Sequence, residues 1–418
     1  MWQCMVRPIW RDQSRDRDEE GERVRRNERA GDPLREQGED RSRVTSMELF
    51  FDLVYVFAVT QLSHLLLANL DLRGALHTAL LLLAVWWAWI YTAWITNWFD
   101  PNRRAVRMML VGVMVASLLM SASLPNAFGD RGLLFAGAYV AMQVGRSVWA
   151  VLELRGHREL QRNFQRILVW SAASGVLWIA GGLASESRRE LLWLAAVVVD
   201  YLAPICGFVT PGLGRSTTRE WNIAGEHLAE RCELFLIIAL GESILVTGAT
   251  FGELELSAAV LAAFVIAFLG SVALWWVYFD RAAGDAEEAI ASSADPGRLG
   301  RSAYTYLHLP MVAGIIVAAV GDELTIAHPL GHADLATAAT VLGGPALFLA
   351  GHLLFKRAVF GVWSLPRLGG IVVLVAVGAI GRDWSPLLLA AVALLVVASI
   401  PWWDARIAPA DMVPVRSG

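Results

Sequence analysis

Two stretches of the chain carry carboxylates inside apolar runs, and they resemble one another. Residues 48–59 read ELFFDLVYVFAV, and residues 233–244 read ELFLIIALGESI. Each stretch is followed by a Trp-rich run that ends in Phe-Asp, at Asp100 and at Asp280. An acidic side chain within a membrane span is energetically costly, so such residues usually serve a function. Their recurrence in two halves predicts a duplicated architecture of the transporter type.

The first stretch places two carboxylates on one helix face. Glu48 and Asp52 are four residues apart, so both project from the same side of a helix at its predicted cytoplasmic end. Two carboxylates this close repel each other unless a proton, a bound cation or a basic side chain neutralises one of them. For Glu48 the alternative is a helix cap at the membrane edge, where an acid suits the positive end of the helix dipole.

The second stretch is preceded by further titratable residues. Glu226, Glu230 and Glu233 follow one another at i, i+4 and i+7, which puts them on one helix face. His227 and Arg231 are four residues apart on an adjacent face, where Arg231 could pair with Glu230 or Glu233. We expect this segment to bind an ion or a substrate.

Glu242 is the strongest single candidate. It lies nine residues beyond Glu233, which is about 13.5 Å along a helix axis and therefore near the bilayer midplane. Gly241 beside it permits another backbone or a ligand to approach closely. The alternative is a buried pair with an arginine of another helix, for which Arg146 is the candidate partner.

Acids and histidines also gather in a stretch that we expect to be an extracytoplasmic loop. It contains two histidines and three acids, which are His328, His332, Asp322, Glu323 and Asp334. Such a loop could capture a metal ion, but a solvated surface loop is the simpler interpretation.

Several familiar motifs are missing from the sequence. It has no Walker loop, no dinucleotide fingerprint, no zinc-protease helix motif and no Gly-x-Ser-x-Gly elbow. Cys4, Cys206 and Cys232 lie far apart and lack metal-ligand spacing. We therefore predict no catalytic residue, no cofactor, no structural metal and no nucleic-acid partner.

The composition is that of a polytopic membrane protein. Of the 418 residues 56% are hydrophobic and 18% are charged, whereas soluble domains average roughly 45–50% apolar and about 25% charged residues. Beyond Met47 nearly everything falls into apolar runs, and a membrane span needs roughly 20 such residues. The sequence predicts an all-α bundle in contact with the lipid bilayer.

Twelve helical runs follow the charged N-terminal stretch. They lie near 48–69, 75–98, 105–124, 132–153, 166–184, 190–210, 228–250, 256–280, 302–321, 334–355, 367–381 and 385–403. Arg and Lys are concentrated in alternate loops, so the positive-inside rule places both termini in the cytoplasm. Two halves of six helices that begin on the same side are parallel repeats.

These boundaries give five predicted segments. Residues 47–210 form the first membrane repeat, 211–227 a cytoplasmic linker and 228–405 the second membrane repeat. Residues 1–46 are crowded with Arg, Asp and Glu and bury too little apolar surface to fold, so we expect a disordered cytoplasmic tail. Residues 406–418 are expected to form a short cytoplasmic tail.

Two motifs resemble those of a known family. Residues 48–60, ELFFDLVYVFAVT, resemble the opening signature of the bacterial low temperature requirement protein A family, and residues 227–242 resemble its second signature. The resemblance runs from about 45 to 405 and implies a multi-pass membrane protein without an established substrate. The motif acids of that family map onto Glu48, Asp52, Glu230, Glu233 and Glu242.

Three classes of function remain open at this point. The favoured one is a plasma-membrane transporter or ion channel in which intramembrane carboxylates bind a proton, a cation or a small solute. The second is a membrane scaffold or sensor whose charged tail is the output. The third is a membrane enzyme for a lipid-type substrate, with Glu230, Glu233 and His227 as acid and base. Self-association is compatible with all three.

Overall fold

The computed structural model describes residues 34–35, 44–221, 223–280, 282–381 and 383–407, and helices make up most of this part of the chain. Its α-helices, in chain order, are α1 (Ser46–Ala68), α2 (Leu72–Trp98), α3 (Arg104–Ser123), α4 (Gly132–Glu153), α5 (Arg158–Leu183), α6 (Glu186–Ile205), α7 (Gly225–Glu253), α8 (Ala258–Phe279), α9 (Ala282–Ala291), α10 (Pro296–Leu299), α11 (His308–Ala327), α12 (Leu335–Phe360), α13 (Leu365–Ile380) and α14 (Pro386–Ile407).

Short turns and one irregular segment join these helices. The residues Leu124–Asn126 and Thr218–Glu220 form 3₁₀ turns, and Gly300–Tyr306 forms a π-helical stretch that leads into α11. Within the described residues, β-pairing is limited to isolated bridges, Leu34 with Phe99 and Thr210 with Gly214. The prediction of an all-α protein is therefore confirmed.

Polar side chains at the helix starts explain several of these boundaries. Thr45 caps α1 through a capping box, in which its hydroxyl accepts from the Glu48 backbone N–H and the Glu48 carboxylate accepts from the Thr45 N–H. Asp71 and Ser257 accept from backbone N–H groups in the first turns of α2 and α8. Each cap satisfies donors that would otherwise end unpaired in an apolar surrounding.

A helix lies at each of the twelve places that the sequence predicts, but not every one of them is a clear membrane span. Among the described residues, nine helices are long and apolar enough to cross a membrane. The helices α4 and α6 are outside this set, and α13, the shortest of the twelve, has 16 residues. Twelve spans and two repeats are thus not confirmed.

One register differs from the sequence prediction. The sequence predicts that the ninth run ends at residue 321, whereas α11, which follows the π-helical stretch Gly300–Tyr306, continues to Ala327. Asp322 and Glu323 therefore lie inside a helix. The prediction that Asp322 and Glu323 share a loop with His328 is therefore wrong.

The N-terminal stretch lies largely outside the described residues, as do residues 408–418. Two of its pieces are described, and both contact the bundle. The Arg35 N–H donates to the Trp98 carbonyl at 2.8 Å, and Val44 and Thr45 lead directly into α1. Arg35 is thus held against the C-terminal end of α2.

Helices α1 and α7 pack against each other within the bundle, in which α2 is the most deeply buried of the candidate membrane spans. Helix α1 packs against α2, α3, α7 and α11, and α7 packs against α8, α9 and α11. Large apolar side chains, such as Leu76, Val176, Leu183 and Leu245, remain exposed on the outer surface. A continuous apolar exterior of this kind suits a lipid surrounding. The α1–α7 contact is the place where the acid-bearing stretches meet.

Candidate functional site

The start of α7 and the start of α1 share a buried charge network. It consists of Glu48, Asp52, His227 and Arg231, all of them at most 1% exposed. Arg231 Nη2 donates to Asp52 Oδ1 at 2.6 Å, and Arg231 Nη1 lies 3.3 Å from Glu48 Oε1. The structure therefore brings together four of the predicted site residues, and it pairs Arg231 with the acids of α1 rather than with Glu230 or Glu233.

The end of α2 fixes the tautomer of His227. The Ala224 N–H donates to Asn97 Oδ1 at 2.8 Å, and Asn97 Nδ2 donates to the Ala224 carbonyl at 2.7 Å, which sets the orientation of the amide. Asn97 Nδ2 also lies 3.2 Å from His227 Nδ1, so this nitrogen accepts. The proton of a neutral imidazole then sits on Nε2, which donates to Glu48 Oε1 at 2.9 Å.

Aromatic rings of α1 and α2 close the other side of the network. Trp89 Nε1 donates to Asp52 Oδ1 at 2.8 Å, and the Arg231 guanidinium lies 5.7 Å from the centre of the Phe51 ring. Asp52 Oδ2 and Arg231 Nε are buried without a hydrogen-bond partner among the described residues. A charge pair this enclosed is costly to break, since either partner left by itself is an uncompensated buried charge.

The N-terminal stretch completes the network from outside the bundle. Arg35 Nη2 donates to both carboxylate oxygens of Glu48 at 2.9 Å and lies 3.2 Å from His227 Nε2. The Val44 N–H donates to Glu230 Oε2 at 3.0 Å. Sequence reasoning missed Arg35, because it stands in a stretch whose composition predicts disorder. It gives Glu48 a second cation.

Glu242 makes a separate contact between the same two helices, nearer their C-terminal ends. Its side chain is 1% exposed, and Thr60 Oγ1 of α1 donates to its Oε2. Its other oxygen, Oε1, is buried without a hydrogen-bond partner in the described part of the chain. A carboxylate that has one oxygen unsatisfied in a buried position is poised to bind a proton or a cation.

A hydroxyl cluster adjoins Glu242 on α8 and α11. Ser243 Oγ lies 2.9 Å from Ser271 Oγ and donates to Asp322 Oδ2 at 3.1 Å. The next residue of α11, Glu323, lies within electrostatic range of Glu242. The sequence prediction placed Asp322 in a loop rather than in a helix, because the predicted run ended at residue 321, six residues before the end of α11.

Glu233 is held apart from Glu242. Nine residues at 100° each amount to two and a half turns, so the two carboxylates project from opposite sides of α7. Glu233 is half-buried and lies within electrostatic range of Glu230 and Glu287. These acids form a negative surface where α7 meets α9, beside the charge network.

Arg146 is bonded within the first six helices. Its Nη1 donates to Thr92 Oγ1 at 2.6 Å and to the Ala88 carbonyl at 3.1 Å, and its Nη2 donates to Gln143 Oε1. Gln143 in turn donates to Tyr139, which donates to Asp200 at 2.8 Å. The pairing with Glu242 that the sequence suggested is therefore not observed.

Neither cysteines nor histidines assemble a metal centre in the described residues. No group of three His, Cys, Asp or Glu side chains there is placed to hold a metal ion. Cys206 and Cys232 are both free thiols, the second of them buried. The site consists of carboxylates, hydroxyls and two buried cations.

Comparison with known proteins gives the family. The model of the bacterial low temperature requirement A protein (LtrA) matches residues 43–400. The chain belongs to the LtrA family. An uncharacterized protein of Rhizobium meliloti (strain 1021) is 40% identical over 345 residues, which cover 82% of this chain and 84% of that protein. No solved structure matches the chain.

The family match includes every residue of the two α1–α7 contacts. Glu48, Asp52, His227, Arg231 and Glu242 all lie inside the matched region. Together with the apolar helices, membership of the LtrA family indicates a membrane protein in contact with lipid. Arg35, which contacts Glu48, precedes the matched region.

Proposed function

We propose that this LtrA-family protein is a transporter or channel for protons or small cations, and that Glu242 is the group that binds them. One observation carries the proposal: Glu242 is buried at the contact of α1 and α7 with Oε1 unpaired among the described residues. A buried acid in a membrane helix is costly, and ion or proton handling is the usual reason for keeping one.

The proposed architecture is two parallel repeats of six spans, with both termini on the cytoplasmic side of the plasma membrane. The pattern of neighbouring helices supports the repeat. In the first half the packed pairs are α1–α2, α1–α3, α3–α4, α4–α5, α5–α6 and α2–α6. The equivalent six pairs are packed in the second half, as α7–α8, α7–α11, α11–α12, α12–α13, α13–α14 and α8–α14. The second half also packs α12 against α14 and α8 against α11, without close counterparts among the described residues of the first half.

In this architecture the charge network closes the cytoplasmic side of the α1–α7 contact. Its salt bridges join the first helix of one repeat to the first helix of the other, and Trp89 and Phe51 cover them. Release of an ion from Glu242 to the cytoplasm then requires Arg231 to separate from Asp52 and Glu48. The two acids would repel each other on separation, which favours a cation passing between them.

The residues outside these contacts have supporting roles in the proposal. Glu230 and Glu233, with Glu287 of α9, make the cytoplasmic approach negative, which raises the local concentration of cations. Arg146 ties α4 to α2 within the first repeat. We assign it a structural role in that repeat.

Flux into liposomes tests the proposal. Purified protein should conduct protons or monovalent cations down an imposed gradient, and Glu242→Gln should remove at least 90% of that flux while keeping the same detergent stability. The matched control is Glu253→Gln at the exposed end of the same helix, which should conduct normally. Normal flux through Glu242→Gln would refute the assignment.

A second candidate function, a membrane sensor, is favoured by one specific contact. Arg35 and Val44 of the N-terminal stretch bind Glu48 and Glu230, so a change in the network would reach the N-terminal segment directly. Deleting residues 2–33 keeps both contacts and separates the two functions. A transporter keeps its flux without those residues, whereas a sensor loses its output.

A further inference from the structure

Exposed tryptophans are concentrated at one corner of the molecule. Among the described residues, the tryptophans with exposed side chains are Trp275, Trp276, Trp363, Trp402 and Trp403. The first two lie near the end of α8, the third lies between α12 and α13, and the last two lie near the end of α14. An ordinary aromatic belt would place exposed tryptophans at both membrane interfaces. These five instead mark one local surface, which we call the tryptophan corner.

One buried arginine joins the four helices of this corner. Arg367, at the start of α13, is 1% exposed. Its Nη1 donates to Asp404 Oδ2 of α14 at 2.6 Å, and its Nη2 donates to the Val277 carbonyl of α8 at 3.4 Å. Its Nε donates to His352 Nδ1 of α12 at 3.2 Å. These bonds bring the ends of α8, α12 and α14 to the start of α13, so the exposed tryptophans lie around one point.

Two exposed arginines lie against the exposed rings. The Arg357 guanidinium at the end of α12 lies 5.7 Å from the centre of the Trp363 ring. The Arg406 guanidinium at the end of α14 lies 3.4 Å from the centre of the Trp402 ring. Both arginines are exposed to the surroundings of the bundle. An indole face under a guanidinium holds the cation in place without neutralising it.

Lys356 adds a third cation to the corner. Its side chain is half-buried at the end of α12, and it makes no hydrogen bond or ion pair within the described part of the chain. It lies within electrostatic range of Arg367, Asp404 and Asp285. Asp404 is already paired with Arg367 at 2.6 Å, and Asp285 of α9 is exposed. The ammonium group of Lys356 is therefore available to a ligand.

The charge and the rings together select the occupant. Lys356, Arg357 and Arg406 have no ion pair among the described residues, whereas the acids nearby are Asp285 and Asp280, which accepts from an indole N–H. Cations at the cytoplasmic membrane surface attract anionic phospholipids. Guanidinium groups suit phosphate oxygens, and indole rings suit the headgroup level, where one end of the ring is apolar and the other is wet.

We propose that the tryptophan corner, with Lys356, Arg357 and Arg406, binds the headgroup of an anionic phospholipid. The three cations contact the phosphate, and the exposed rings lie along the glycerol and the upper part of the acyl chains. In the proposed topology the ends of α8, α12 and α14 are cytoplasmic, so the lipid belongs to the cytoplasmic leaflet. The site anchors the second half of the molecule to that leaflet and does not depend on transport.

Lipid binding to the purified full-length protein tests this proposal. Native mass spectrometry in detergent counts the bound lipids during titration with phosphatidylglycerol or with phosphatidylcholine of the same acyl chains. Phosphatidylglycerol should bind at the lower half-saturating concentration. In Lys356→Gln/Arg357→Gln that concentration should rise roughly 25-fold, because each cation near an anionic lipid surface is worth about a fivefold change in affinity.

A matched variant controls for the loss of two positive charges. Arg155→Gln/Arg158→Gln removes two exposed arginines from the connection between α4 and α5, away from the tryptophan corner. It should bind phosphatidylglycerol like the native chain. Where Lys356→Gln/Arg357→Gln does not fold, Arg406→Gln replaces it and should raise the half-saturating concentration about fivefold.

Three results would overturn the lipid site. The first is equal binding of the two lipids by the native protein, and the second is native binding of phosphatidylglycerol by the Lys356→Gln/Arg357→Gln variant. The third is displacement of phosphatidylglycerol by inorganic phosphate, which would assign the corner to a free phosphate group. Flux through Glu242 is measured separately, so a failure of the lipid site leaves the transport proposal standing.

Discussion

At the scale of single residues, the molecule separates two kinds of buried acid. Asp52 and Glu48 are neutralised by Arg231 and Arg35, so they hold helices together. Glu242 has a hydroxyl partner in Thr60 and one unpaired oxygen. A carboxylate in an ion pair with a guanidinium holds two helices together. A carboxylate whose partner is a hydroxyl can exchange its proton or bind a cation.

Removing Arg231 should weaken the contact between α1 and α7 and destabilise the protein. In Arg231→Gln, Glu48 and Asp52 remain buried near each other with one cation fewer, and breaking a buried pair in this way costs roughly 3–5 kcal/mol. The Arg231→Gln/Asp52→Asn double variant should recover part of that loss. Denaturant unfolding in detergent measures both, with the exposed Arg298→Gln as control. An Arg231→Gln protein as stable as the native chain would show that the charge network does not hold α1 and α7 together.

At the scale of elements, the contact between α2 and α7 depends on one amide. Asn97 makes two hydrogen bonds to the backbone of Ala224 at the start of α7 and a third to His227. It thereby fixes where α7 begins and how the imidazole faces Glu48. One polar side chain thus aligns the end of one helix with the beginning of another.

Replacing that amide should loosen the start of α7. In Asn97→Ala the Ala224 N–H and carbonyl lose their partners, so hydrogen exchange at residues 224–228 should accelerate by roughly tenfold, the equivalent of one hydrogen bond. Exchange deep within α2 should stay unchanged. Asn102→Ala, in the exposed turn after α2, is the control. Equal exchange in Asn97→Ala and the native protein would contradict this role.

The elements also show what the sequence could and could not predict. Apolar runs of about 20 residues predict helices, because a segment in lipid must make its backbone hydrogen bonds internally. The acids within the runs of α1 and α7 can be recognised from the sequence as candidate site residues. Asp322 and Glu323 interrupt the apolar run of α11, so the sequence predicts a helix end at residue 321 and leaves Asp322 in a loop. The partners of Arg231 and Arg146 depend on how helices pack, which spacing along one helix does not determine.

At the scale of the whole molecule, α1 and α7 meet in two places that differ in chemistry. Salt bridges join their N-terminal ends, and Thr60 meets Glu242 nearer the other end. If the halves are repeats, these are equivalent helices facing each other across the interface. In the proposed transporter, movement at that interface would open the ionic contact and keep the Glu242 contact, so an ion bound at Glu242 would reach the cytoplasm.

The claim that Glu242 binds the transported proton or cation is tested most directly by measuring flux after chemical modification of Glu242. A lipid-soluble carbodiimide modifies protonated carboxyl groups within membranes, and mass spectrometry locates the adduct. Modification at Glu242 should be faster at low pH and slower when a small cation is bound, and flux should fall in proportion to the modified fraction. Full flux from a protein in which every Glu242 is modified would contradict this claim.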